Sequence, residues 1–192
     1  MPQQFEKNTP DTIRKLLQAG NTPLLPYEYD FLKEQLIKLG VEQKQLGKLL
    51  GQAMEQSSET WHDNAPADAV NHQSRVLSKK AEKVIEGLGT AAHVDYPRRG
   101  LGSITLGSVI GVVYSGETDP DYLLVAGFCR ERPNIKPSAP FSTRMDIATV
   151  CSPLGAALLG LGLGDTANYM VNHNKVSLDV ASLHQLQAEH LR

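Results

Sequence analysis

Four carboxylates, Glu55, Glu59, Asp63 and Asp68, fall within one stretch that contains no Lys or Arg. Carboxylate oxygens without a cationic neighbour suit Mg²⁺, which commonly takes one or two ligands from a protein and the rest from water and substrate. Helix caps and solubilising charge explain the same four residues, and spacing alone favours that plainer reading. The only tryptophan, Trp61, lies in the same stretch. A solitary aromatic on an exposed turn is more often a contact residue than filler.

A second group is basic. Arg75, Lys79, Lys80 and Lys83 form a strip on one side of a helix-forming segment. A solvated helix face accounts for it; contact with an RNA phosphate backbone is the sharper alternative. Other candidates are weaker. Gly160-Leu161-Gly162-Leu163-Gly164 lacks the G-x-G-x-x-G spacing and reads as a glycine-rich turn. The six histidines show no zinc spacing. Cys129 and Cys151 have no nearby His to suggest a nucleophile; both end apolar runs and are expected to be buried small hydrophobes.

The elements that must position these groups can be read from periodicity. Leu25, Tyr29, Leu32, Leu36, Leu39, Gln43, Leu46, Leu50, Ala53 and Ser57 follow alternating steps of four and three. Val70, Ser74, Leu77, Ala81, Val84 and Leu88 do the same. This is the a/d seam of a heptad, and the cap- and turn-rich stretch between the two series predicts an antiparallel helical hairpin. Its first helix would be roughly 46 Å long at the α-helical rise, so its far end, near residues 58–66, is expected to project as a tip. Ahead of it, Thr9-Pro10-Asp11 predicts a short helix ending at Gly20.

From Gly100 onward, strand-like runs at 104–114, 122–129, 146–151, 167–171 and 176–181 alternate with turn signals. Ser152-Pro153-Leu154-Gly155-Ala156-Ala157-Leu158-Leu159-Gly160 interrupts them as a short apolar helix with Ser at the N-cap and Pro at N1. The expected fold class is α+β, with one helix filling the concave face of a sheet. A formal net charge of −2 over 192 residues argues against a protein that coats nucleic acid through overall charge. With no apolar run long enough to span a bilayer and a polar start, the expectation is a soluble cytoplasmic protein without membrane association.

The chain resembles the bacterial Gre transcript-cleavage factors. The resemblance rests on a coiled coil followed by a β-rich domain, on the Ser152–Gly160 run followed by Gly164-Asp165, and on Asp63-Asn64-Ala65, which is similar to the Glu-Asn-Ala closing that family's acidic tip. It covers about residues 25–182. It implies an N-terminal antiparallel coiled-coil hairpin (25–95) and an FKBP-like antiparallel β domain (96–182), flanked by an extension (1–24) and a tail (183–192). It also implies a partner, bacterial RNA polymerase, whose secondary channel the coiled coil enters while the β domain docks at the mouth through Ser152 and Pro153. Tip carboxylates, here Asp63 assisted by Glu59, would help hold a Mg²⁺ shared with the polymerase active site, which then cleaves the 3′ end of backtracked RNA. On this view the protein is no enzyme by itself, contacts the nascent RNA 3′ end, and reads no DNA sequence.

The tip departs from the family pattern. The family's first acidic position is Thr60 here, with Glu59 one residue away, and Asp63 is one methylene shorter than Glu. A non-catalytic channel occupant that modulates or inhibits transcription is therefore the main alternative. A prolyl isomerase or chaperone is a weaker one, since the β half has few aromatics (Tyr114, Tyr122, Phe128, Phe141 and Tyr169) to line an isomerase pocket.

Overall fold

The computed structural model describes residues 5–56, 65–100, 102–129, 131–141 and 144–191. The chain divides into two compact units, Asp30–Gly89 and Met1–Tyr29 with Thr90–Arg192.

The first unit is made from helices α2 (Pro26–Gln56) and α3 (Ala65–Gly89). Every heptad position from Leu32 to Ala53 and from Val70 to Leu88 is buried or half-buried. A groove lined by Leu46 and Leu49 on one side and by Val76 and Leu77 on the other shows the two helices side by side. One layer of the seam is polar: Gln43 Nε2 and Ser74 Oγ lie 2.6 Å apart.

The second unit starts with α1 (Pro10–Gln18), where the Thr9 hydroxyl accepts the Thr12 amide and Pro10 takes the first helical position. Ile13 of this helix is fully buried in the main core. Strands β1 (Thr22–Leu24) and β2 (Ala91–His93) pair in parallel. At three residues each they are too short to show an alternation, and no strand was expected there.

The main sheet contains β3 (Ser108–Tyr114), β4 (Asp121–Ala126), β5 (Asp146–Thr149), β6 (Thr166–Val171) and β7 (Asn174–Gln185), in the order β5-β4-β3-β7-β6. Helix α4 (Pro153–Leu158) is the expected short helix, and the α+β class is the one expected. The sheet is mixed and not wholly antiparallel, because β4 and β5 run parallel. Among the described residues of the segment between them, 127–145, there is no helix or strand. Alternation along β3 splits the core. Ile110 and Val112 pack with Val125, Leu158, Leu178 and Val180, whereas Val109 joins Leu124, Phe141 and Leu186 in a separate cluster.

Two boundaries differ from expectation. Residues 104–107 precede β3 because Gly107 takes φ +78°, outside the extended region. The tail expected at 183–192 begins inside β7, which runs to Gln185; Leu186 is fully buried, and a 3-10 turn follows at Ala188–His190.

Candidate functional site

Asp63 and Glu59, the expected metal-assisting carboxylates, lie outside the described residues, as do Thr60 and Trp61. Glu55 in the last turn of α2 and Asp68 in the first turn of α3 are exposed on either side of them. Among the described residues no three His, Cys, Asp or Glu side chains gather as a metal site.

The basic residues share helix α3. Arg75, Lys79 and Lys83 follow steps of four with Lys80 beside them, and all four are exposed. None makes an ion pair with a described residue. Such a row is free to meet an anionic surface.

The Ser152-Pro153 segment has a local physical account. Ser152 Oγ donates to the Thr149 carbonyl at 2.7 Å and accepts the Gly155 amide at 3.1 Å, capping α4. Pro153 fills the first helical position, where a missing N–H costs nothing. A Cβ on Gly155 would stand 2.1 Å from the Thr149 carbonyl oxygen, so only glycine lets the helix approach the end of β5 this closely. Leu158 and Leu159 then enter the core, and the Arg14 guanidinium donates to the Leu159 carbonyl at 2.7 Å, joining α1 to the end of α4. Pro153 stays exposed. In Gly160–Gly164 the glycines at both ends have positive φ, and the Gly162 amide donates to Asp165 Oδ2 at 2.7 Å. This is a turn, as expected.

The cysteines part company: Cys129 is buried, Cys151 is exposed. Burial pushes the Cys129 thiol up to about 11, which leaves it protonated and unreactive at neutral pH.

One buried charge escapes sequence reasoning. Glu28, at the start of α2, has no exposure, and its carboxylate accepts the amides of Gly127, Phe128 and Cys129 as well as that of Leu25. Burial raises its pKa, against the lowering effect of these amides. Nearby Tyr27 is raised well above its ordinary value, chiefly by burial and then by Glu28. A single Glu among the nine carboxylates and cations of residues 28–55 carries no sequence signal that its partners lie across the fold.

No protein-family model and no curated protein matches the sequence. Among solved structures, the chain is similar to GreA factor homolog 1 (Gfh1) of Thermus thermophilus, at 22% identity and a TM-score of 0.38 over 85% of this chain and 99% of that one. It is similar to Thermus aquaticus Gfh1 at 21% identity, with a TM-score of 0.38 over 85% of this chain and 98% of that one. The prokaryotic transcription elongation factor GreA/GreB from Nitrosomonas europaea gives 18% identity and a TM-score of 0.31, covering 60% of this chain and 91% of that one.

Proposed function

We propose that the chain is a Gre-like factor that binds bacterial RNA polymerase, with the two-helix unit entering the secondary channel and the sheet unit docking at its mouth. The observation that carries this reading is the joint presence of a long heptad helix pair and the Ser152-Pro153-x-Gly155 helix start, which leaves Pro153 exposed while its neighbours are fixed. Ser152 and Pro153 form the docking point. Arg75, Lys79, Lys80 and Lys83 offer a cationic row to RNA or to the channel wall.

Within that role, the chain stimulates cleavage of backtracked RNA. Asp63, assisted by Glu59, would lend carboxylate oxygens to a Mg²⁺ shared with the polymerase, and that ion supplies positive charge at the scissile phosphate. The polymerase retains the catalytic core; the factor contributes charge and position. The decisive experiment adds the purified protein and Mg²⁺ to a stalled, backtracked elongation complex and resolves the RNA on a gel. Shortened 3′-cleaved transcripts support stimulation. Slower elongation without cleavage assigns the alternative role of a non-catalytic modulator, which Thr60 in place of an acid favours. No effect on either removes the channel reading.

A further inference from the structure

The C-terminal turn encloses a cleft unrelated to the docking helix or the tip. Its volume is about 340 Å³, and Arg99, Pro140, Leu183, His184, Glu189 and His190 contribute to its walls. Three of these are basic and one is acidic. The Lys136 ammonium donates to the Glu189 carbonyl at 2.7 Å, holding the backbone of the turn.

The placement of the acid is informative. The Glu189 carboxylate receives a hydrogen bond from the Arg99 guanidinium, and the same Oε1 lies 3.8 Å from His190 Nε2. His190 Nδ1 accepts the Gln187 amide at 3.1 Å, so in the neutral ring the proton sits on Nε2, on the Glu189 side. Phe141 packs edge-on to His190 with ring centres 5.2 Å apart and also touches His184 at 6.0 Å, holding both imidazoles. The cleft therefore already presents donors to an oxyanion, and that oxyanion is its own side chain. The hold is weak: the Arg99 and Glu189 side chains are 69% and 59% exposed, and exposed pairs contribute little.

We propose that this cleft binds a small phosphate monoester, whose phosphoryl oxygens replace the Glu189 carboxylate between Arg99 and His190. With Glu189 displaced, Arg99 leaves a fixed positive charge beside two imidazoles. A phosphate monoester carries nearly two negative charges at neutral pH and offers three acceptor oxygens, against one charge and two oxygens for a carboxylate. The cleft is far larger than a phosphate group alone, and Pro140 and Leu183 supply apolar wall for the organic part.

The test follows the histidine side-chain NMR signals of the full chain during titration with phenyl phosphate, with inorganic phosphate and with phenylacetate. Saturable shifts at His184 and His190, with His72 and His93 unmoved, are expected for phenyl phosphate, and weaker binding for the other two. Arg99→Ala should abolish saturation, Arg99→Lys should weaken it, and Glu189→Gln should tighten binding by up to about fivefold, the contribution of one exposed ion pair. Circular dichroism confirms that each variant is folded. Shifts unaffected by Arg99→Ala, or spread over all histidines, overturn the site. Equal binding of phenylacetate overturns the phosphate class, and tighter binding of inorganic phosphate overturns the ester.

Discussion

The amide of Gly127 lies 2.9 Å and 3.2 Å from the two carboxylate oxygens of Glu28, joining the start of α2 to the end of β4. Phe128 and Cys129 donate to Oε1 at 3.1 Å, and Leu25 donates to Oε2 at 3.1 Å. Taking a carboxylate out of water is costly, and amide donors offset that cost only when they converge as they do here. The first turn of a helix adds its own favourable field. In the same place a Cβ on Gly127 would stand 1.8 Å from the Pro23 carbonyl oxygen, so the chain approaches itself as closely as backbone permits.

Removing the carboxylate should be severe. Glu28→Ala strands four amides, three of them buried, and is expected to cost on the order of 3 kcal/mol or more, read as a lower urea midpoint. Glu28→Gln should cost less, since its one oxygen keeps the amides of 127–129 while its NH₂ faces the Leu25 donor. The pH dependence has a definite sign. The folded pKa of Glu28 is raised above its usual 4.5, so the folded state holds this proton more tightly than the unfolded chain. That contribution is fully present below pH 4.5 and is lost as pH rises through the folded pKa. The stability difference between wild type and Glu28→Gln, measured from acid to neutral pH, should shrink with rising pH. A difference that grows with pH contradicts burial as the dominant influence.

Glycine substitutions should divide by local space. Gly127→Ala and Gly155→Ala drive a methyl to within 1.8 Å and 2.1 Å of carbonyl oxygens and should each lower the melting temperature strongly. Gly47→Ala on α2 meets nothing within 4 Å. It should stabilise by about 1 kcal/mol through helix propensity, so thermal melts of the three variants should move in opposite directions.

The difference between legible and illegible features follows from sequence distance. The heptad seam repeats every few residues, so the positions from Leu32 to Ala53 and from Val70 to Leu88 could be placed from spacing alone. The Ser152-Pro153 start was legible because cap and ring act within four positions, whereas the close approach of Gly155 to the Thr149 carbonyl leaves no local mark. Glu28 was not, because its partner Gly127 is 99 residues away and nothing near position 28 announces it. The parallel pairing of β4 and β5 was hidden for a related reason. A crossover with no helix among its described residues leaves no periodic mark, and short strands joined by turns read as hairpins. The cleft at Arg99 and Glu189 likewise joins residues 90 positions apart.

The polar layer in the helix pair is predicted to specify register at some cost in stability. Gln43 Oε1 is buried without a partner, although Gln43 Nε2 meets Ser74 Oγ. Replacing both with Gln43→Leu and Ser74→Ala should leave stability unchanged or raise it. Leu46→Asp or Leu77→Asp puts a charge in the half-buried seam and should lower helicity by circular dichroism, with a loss of several kcal/mol. Full helicity and stability in both Asp variants would contradict the seam.

Docking is tested at Pro153. Pro153→Asp places an acid in the first turn of α4, where the helix field favours it, and leaves the Ser152 cap intact. The circular dichroism spectrum should be nearly unchanged while RNA polymerase binding weakens. Unchanged binding removes this position from the docking surface. Loss of folding instead makes the proline structural.

The tip decides between stimulation and modulation. If Asp63 is the metal-assisting carboxylate, Asp63→Ala should abolish cleavage of backtracked RNA while the protein still competes for the polymerase. Folding should be nearly intact, because Asn64 precedes α3 and can serve as its N-cap, and a lost cap costs only about 1 kcal/mol. Glu59→Ala should reduce cleavage less, since Glu59 lies one residue from the position where the Gre pattern has its first acid. Thr60→Asp combined with Glu59→Ala restores that spacing and should raise cleavage if the register matters. The gel assay, repeated over a Mg²⁺ titration, reads all three variants. A binding-competent Asp63→Ala protein that cleaves as well as wild type excludes Asp63 from the role. A wild type that never cleaves, with activity gained in the Thr60→Asp variant, assigns the natural chain to transcriptional modulation and locates the reason in a single residue of register.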